Sequence, residues 1–119
     1  MNTPVSFEIK QLLYYRGWRY ELGIDETGYR VEHSLAEQRW NEGDLTYVDI
    51  TISDVVMWLY EKHKIWIGVI CDVGNDLLFT FKIYSTKIGE ERCIGNGIMY
   101  ESPIEAYEAP IKYTLNNLL

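Results

Sequence analysis

Cysteine is nearly missing from this chain. Cys71 and Cys93 are the only two among 119 residues, and neither belongs to a Cys-x-x-Cys pair. That excludes a disulfide-framed scaffold and the short ligand spacing of a structural zinc module. No stretch approaches the roughly 20 apolar residues that span a bilayer. The first residues, Met1-Asn2-Thr3-Pro4-Val5-Ser6-Phe7-Glu8, hold no basic region followed by an apolar run. The expectation is a soluble cytoplasmic protein. No Walker-type lysine follows a glycine-rich loop, and no serine sits in a nucleophile elbow. Gly95-Asn96-Gly97 is not a dinucleotide fingerprint, because Tyr100 stands where the third glycine belongs. Positive charge is also short. Eleven Lys and Arg face 18 Asp and Glu, a formal charge of −7, which works against gripping nucleic acid through its phosphates.

What is present is a globular composition: 47% hydrophobic residues, with 10 Tyr and 4 Trp, in a chain long enough to bury a core without staples. No repeat, low-complexity tract or linker interrupts it, so one domain over 1–119 is expected. The charge is uneven. Residues 23–61 hold nine acids against Arg30 and Arg39, and so carry the whole net charge. This predicts an acidic face on the middle segment.

Thr3-Pro4 predicts a helix start, with Val5, Ile9, Leu12 and Leu13 at helical spacing and Gly17 to end it, giving a helix over 4–16. Trp18, Tyr20 and Leu22, then Tyr29, Val31 and His33, alternate around Asp25-Glu26-Thr27-Gly28, a hairpin over 18–34. Residues 35–46 read either as one helical turn or as a polar loop around Trp40. Val48, Ile50 and Ile52 alternate as a short strand. From Ser53, a good N-cap with Asp54 behind it, Val55, Val56, Leu59 and His63 form a helical face. After Lys64 the period becomes extended. Ile65, Ile67 and Val69 face one way and Trp66, Gly68 and Ile70 the other, so this strand reads as central and covered on both sides. Gly74-Asn75-Asp76 turns the chain into a return strand, Leu77 to Tyr84. Gly95-Asn96-Gly97 reads as a turn joining short strands Arg92–Ile94 and Ile98–Tyr100. Ser102-Pro103-Ile104-Glu105 combines cap, proline and capping-box glutamate, and opens a last helix that Pro110 kinks. The fold class is α+β: a mainly antiparallel sheet packed by three helices, in the order α-β-β-(β)-α-β-β-(β)-α.

Chemistry is thinly supplied. His33, His63, Cys71 and Cys93, with Asp49 or Asp72, are the only metal-ligand candidates, and no two have the spacing that fixes a pair on one element. Cys71 lies in an apolar strand, where a thiol behaves as a small hydrophobe. Arg92 beside Cys93 is a neighbour that would somewhat favour its thiolate, the expectation behind a cysteine nucleophile. No catalytic, cofactor or metal site is assigned. The acids Glu37, Glu42, Asp44 and Asp49 lack the arrangement of an acid–base pair or magnesium site, and read as a solvated face or a docking surface for a basic partner. Trp40 stands in the same polar segment, either as an interface anchor or as a cover over the core. Glu37, Trp40, Glu42, Asp44 and Asp49 are therefore the candidate interaction surface.

Four stretches carry a resemblance. They are Thr3-Pro4-Val5-Ser6-Phe7-Glu8-Ile9, Asp54 to His63 with Ile65-Trp66-Ile67, Ser102 to Ala109, and Tyr113 to Leu119. Together they resemble a group of small phage-related hypothetical proteins, carried by prophages and mobile elements of gut anaerobes. The likeness covers about half the chain and leaves 19–52 and 85–100 outside it. Similar proteins have glycine where Lys64 stands and alanine where Pro110 stands, and a longer loop before Ser53. The resemblance implies a mobile-element source and an α+β fold. It brings no activity, ligand or catalytic residue.

Three functions follow as expectations. The first is a non-enzymatic protein acting through protein–protein contact, as a homodimer or a modulator of a host system. The second is a nucleic-acid module, since the C-terminal half has the α-β-β-(β)-α order of double-stranded RNA-binding domains. Those have lysines at the start of the last helix, where this chain has Glu105 and Glu108. The third is a small enzyme using Cys93 or the carboxylates.

Overall fold

The computed structural model describes residues 2–20, 23–24, 27, 30–31, 33–73, 77–85, 92–95 and 97–119. Most of the turns expected at 25–28 and 74–76, together with Tyr29 and Asn96, lie outside the described residues.

The first helix, α1, spans Phe7–Tyr15, with Ser6 as N-cap accepting from the Ile9 N–H at 3.4 Å. It begins later than the Thr3-Pro4 reading, because the chain before it is used differently. Pro4 pairs with Thr51 in an antiparallel bridge, the Val5 N–H donates to Ile50 O and the Ile52 N–H to Thr3 O. Gly17 ends the helix as expected, at φ +94°. The Gly17 and Trp18 N–H groups donate back to Tyr14 and Leu13 in a Schellman closure.

Among the described residues of the 18–34 hairpin, β1 (Gly23–Ile24) and β2 (Arg30–Val31) pair, antiparallel. Trp18 and Tyr20 are not strand residues. Their backbone groups are satisfied by side chains instead. Trp40 Nε1 donates to Trp18 O, while the Asn41 amide accepts from Tyr20 N–H and donates to Tyr20 O. An asparagine side chain thus does what a neighbouring strand would do.

Residues Leu35–Asn41 form α2, capped by Ser34 and closed by a second Schellman turn through Gly43 at φ +101°. This resolves the open reading of 35–46 and adds a fourth helix to the three expected. The short strand expected at 48–52 does not form. Val48 and Ile50 are buried, but beyond the bridge at Thr51 the chain enters α3, Ile52–His63. Its N-cap is Thr51 rather than Ser53. Thr51 Oγ1 accepts from Asp54 N–H and Asp54 Oδ2 accepts from Thr51 N–H, a complete capping box. Lys64 then adopts the left-handed conformation itself, at φ 55°, in the place where glycine is easiest.

The main sheet has the order β3-β4-β5, all antiparallel: β3 Ile65–Val73, β4 Leu77–Ser85 and β5 Arg92–Ile94. β3 is an edge strand, not the central one. Ile65, Ile67, Phe81 and Ile83 face the core, whereas Trp66, Ile70 and Tyr84 on the other face are each more than 40% exposed. Gly95–Gly97 does not join two strands. After β5 the chain stays on the same side of β4 and meets it once more, where Tyr100 and Phe79 exchange two backbone hydrogen bonds of 2.7 and 2.8 Å.

The last helix, α4, runs Pro103–Asn117 with Ser102 as N-cap, and continues through a buried Pro110. It packs on β3 and β4 and touches α1 and α3. Its C-terminus holds no basic residue of its own in the last turn. Arg16 supplies one from α1, donating to the carbonyl oxygens of Leu115 (2.6 Å), Asn116 (3.3 Å) and Leu119 (3.4 Å). A guanidinium there satisfies orphan carbonyls and opposes the negative end of the helix dipole. The fold is α+β: among the described residues there are four helices, of which α3 and α4 pack on the three-stranded antiparallel sheet.

Candidate functional site

The outer face of β3 and β4 carries apolar side chains that face solvent. Register puts Trp66 directly opposite Tyr84 and Gly68 opposite Lys82. With no side chain of its own, Gly68 leaves room for both rings. A Cβ built there would meet Tyr84 at 3.9 Å and Trp66 Nε1 at 4.0 Å. The strip continues onto α3, where the exposed Tyr60 meets Trp66 edge-on at 5.7 Å between ring centroids. Met57, also exposed, borders with Trp66 a cavity of about 190 Å³ that reaches Tyr107. Ile70 stands on the same face four residues farther along β3, beyond Gly68 and the opposed Lys82. Five large apolar side chains, Met57, Tyr60, Trp66, Ile70 and Tyr84, thus share one surface.

A second feature is concave. The segment Trp18–Tyr20 and the flank of α3 enclose two adjoining cavities of about 600 and 500 Å³, and Trp18, Tyr20 and Trp58 line both. Trp18 and Trp58 lie 5.3 Å apart between centroids, and His63 stands edge-on to Trp58 at 4.8 Å. Burial of Tyr20 holds its phenol above the ordinary tyrosine range. Glu37 and Asp54 push it the same way, and a hydrogen bond with Trp18 opposes them.

The residues expected to form an interaction surface separate. Trp40 is completely buried, with Tyr14 and Tyr20 meeting its ring edge-on. It closes the core and is no interface anchor. Glu37 is spent on His33, 3.0 Å away. Glu42, Asp44 and Asp49 are exposed; Asp44 Oδ1 also accepts from the Thr46 N–H. Cys71, expected to be buried, is exposed on β3. Among the described residues no three His, Cys, Asp or Glu side chains gather into a metal-binding group. No described helix is long and apolar enough to cross a membrane.

Reading residue types in β3 alone misses the outer strip, because both faces of Ile65–Ile70 are apolar. The signal lies in β4. Thr80, Lys82 and Tyr84 alternate with Phe79, Phe81 and Ile83, so one face of β4 meets water. Cross-strand neighbours share a face, so Trp66 and Ile70 must meet water as well.

The comparisons leave the reading to this geometry. The chain matches no family model, no curated protein and no solved structure.

Proposed function

We propose that this chain is a small non-enzymatic protein of a phage or other mobile element, acting through protein–protein contact at the outer face of β3 and β4. One observation carries the reading: Met57, Tyr60, Trp66 and Tyr84 form an exposed apolar patch, and Ile70 stands on the same sheet face beyond the Gly68–Lys82 pair. Soluble monomers seldom leave such patches open without use, and Trp and Tyr are the residues interfaces favour. Its edge supports the same reading. β3 is nine residues long and holds one charge, Asp72, and no proline, so it has few of the devices that keep sheet edges from pairing. A second copy is the first partner this surface suits, because an antiparallel edge and a symmetric strip are self-complementary. Glu42, Asp44 and Asp49 supply a polar contact for a basic partner, as a separate and salt-sensitive element.

Sedimentation velocity of the wild-type chain and of Ile70→Lys tests this. A concentration-dependent dimer that Ile70→Lys abolishes, with the melting curve kept, supports the contact. A wild-type monomer that also binds the same host proteins as Ile70→Lys removes the proposal.

A further inference from the structure

The concave groove offers a chemistry the sheet face does not. In a chain of net charge −7, three cationic side chains, Arg16, Arg19 and Lys62, line the larger cavity together with His63. Arg16 is already spent on the end of α4. Arg19 is held but not exhausted. Its guanidinium lies 3.4 Å from the centroid of the Tyr14 ring, and its Nη1 donates to Tyr14 O and Trp18 O. Nε and Nη2 have no partner among the described residues. A stacked, half-bonded guanidinium is pre-oriented for a further acceptor and loses little freedom on binding. Lys62 is exposed and has no ion pair among the described residues.

The walls are aromatic. Trp18 and Trp58 meet at an interplanar angle of 49°, leaving ring surface toward the cavity rather than closing into a parallel stack. Their partial exposure gives a flat ligand somewhere to lie. Toward the smaller cavity the lining changes sign, to Asp54 and Glu61. An anion is therefore directed to one end and repelled from the other. A volume of about 600 Å³ is in the range of small-molecule sites.

We infer that this groove binds a small organic anion bearing a flat ring, of the nucleoside monophosphate kind. The ring lies against Trp58 and Trp18, and the anion meets Arg19 and Lys62. Stacking on an aromatic wall tolerates any base, so the cations decide that the ligand is anionic. Met57 borders both surfaces, but Trp18, Arg19, Trp58 and Lys62, on which the inference rests, take no part in the contact at the sheet.

The experiment is a tryptophan-fluorescence titration of the full chain with adenosine monophosphate, adenosine and inorganic phosphate. The monophosphate is expected to quench saturably, adenosine to bind about tenfold more weakly, and phosphate to leave emission unchanged. Raising salt should weaken the monophosphate and not adenosine, because the cations are exposed. Lys62→Gln and Arg19→Gln should each reduce monophosphate affinity several-fold. Trp66→Phe, on the sheet face, should leave it unaltered. Circular dichroism melts confirm that the variants fold. Absence of saturable quenching by the monophosphate overturns the inference. So does equal binding of adenosine and the monophosphate, or quenching that Trp66→Phe removes and Lys62→Gln leaves intact.

Discussion

The indole Nε1 of Trp40 donates a 2.8 Å hydrogen bond to the main-chain oxygen of Trp18. It joins α2 to the extended segment that leaves α1, and does so from a completely buried ring. Trp40→Phe removes one of the two donors to that oxygen, Arg19 Nη1 remaining, and also removes buried ring volume, so a loss of about 1–3 kcal/mol is expected. Trp40→Ala should cost about 3–5 kcal/mol. Urea unfolding checks both. A surface anchor would show almost no loss in either variant.

The helix start at Thr51 gives a positional test. Thr51→Ala should destabilise by about 1 kcal/mol by removing the acceptor for Asp54 N–H. Thermal melts measure the loss, and an unchanged melting temperature would place the cap elsewhere.

Much of the scaffold is legible because it follows periodicity. Val55, Val56 and Leu59 on α3 and Ile111 and Leu115 on α4 are core residues that spacing alone identifies. The cap at Ser102 is read correctly for the same local reason. Other features depend on partners far along the chain. Whether Thr3-Pro4 starts a helix is decided by Thr51, and whether Tyr20 joins a strand is decided by Asn41. The candidate surface suffers in the same way. Trp40 looks exposed among Arg39, Asn41 and Glu42, yet a single helical turn points it inward.

Lys64 occupies a conformation that costs an L-residue about 1 kcal/mol or more. Lys64→Gly should therefore stabilise the chain by somewhat less than that amount, the offset being the lost approach of its ammonium to the Tyr60 ring at 5.6 Å. Chemical denaturation measures the difference. A loss of stability would mean that the lysine contact outweighs the backbone strain.

Thr114 is fully buried in α4 and its hydroxyl has no hydrogen-bond partner among the described residues. Thr114→Val keeps the shape and removes the unpaired group, so stability should be unchanged or rise by up to about 1 kcal/mol. A clear fall would reveal a partner for the hydroxyl.

The raised Tyr20 phenol gives a pH dependence with a fixed sign. Burial disfavours the phenolate in the folded chain more than in the unfolded one. The stabilising contribution is complete below the ordinary tyrosine pKa of about 10 and is lost as pH climbs through the higher folded value. Ultraviolet titration of the wild type minus Tyr20→Phe should show one tyrosine ionising late. Stability of Tyr20→Phe should fall less steeply above pH 10 than that of the wild type. Superimposable titrations would contradict it.

The bridge between Pro4 and Thr51 reaches beyond the way α3 begins. Chain ends ordinarily fray in isolation, and their amides exchange with solvent independently of the interior. Here the Val5 N–H is held by Ile50 and the Ile52 N–H by Thr3, so the two amides have one latch in common. The opening residues and the middle of the chain must come apart as a single event.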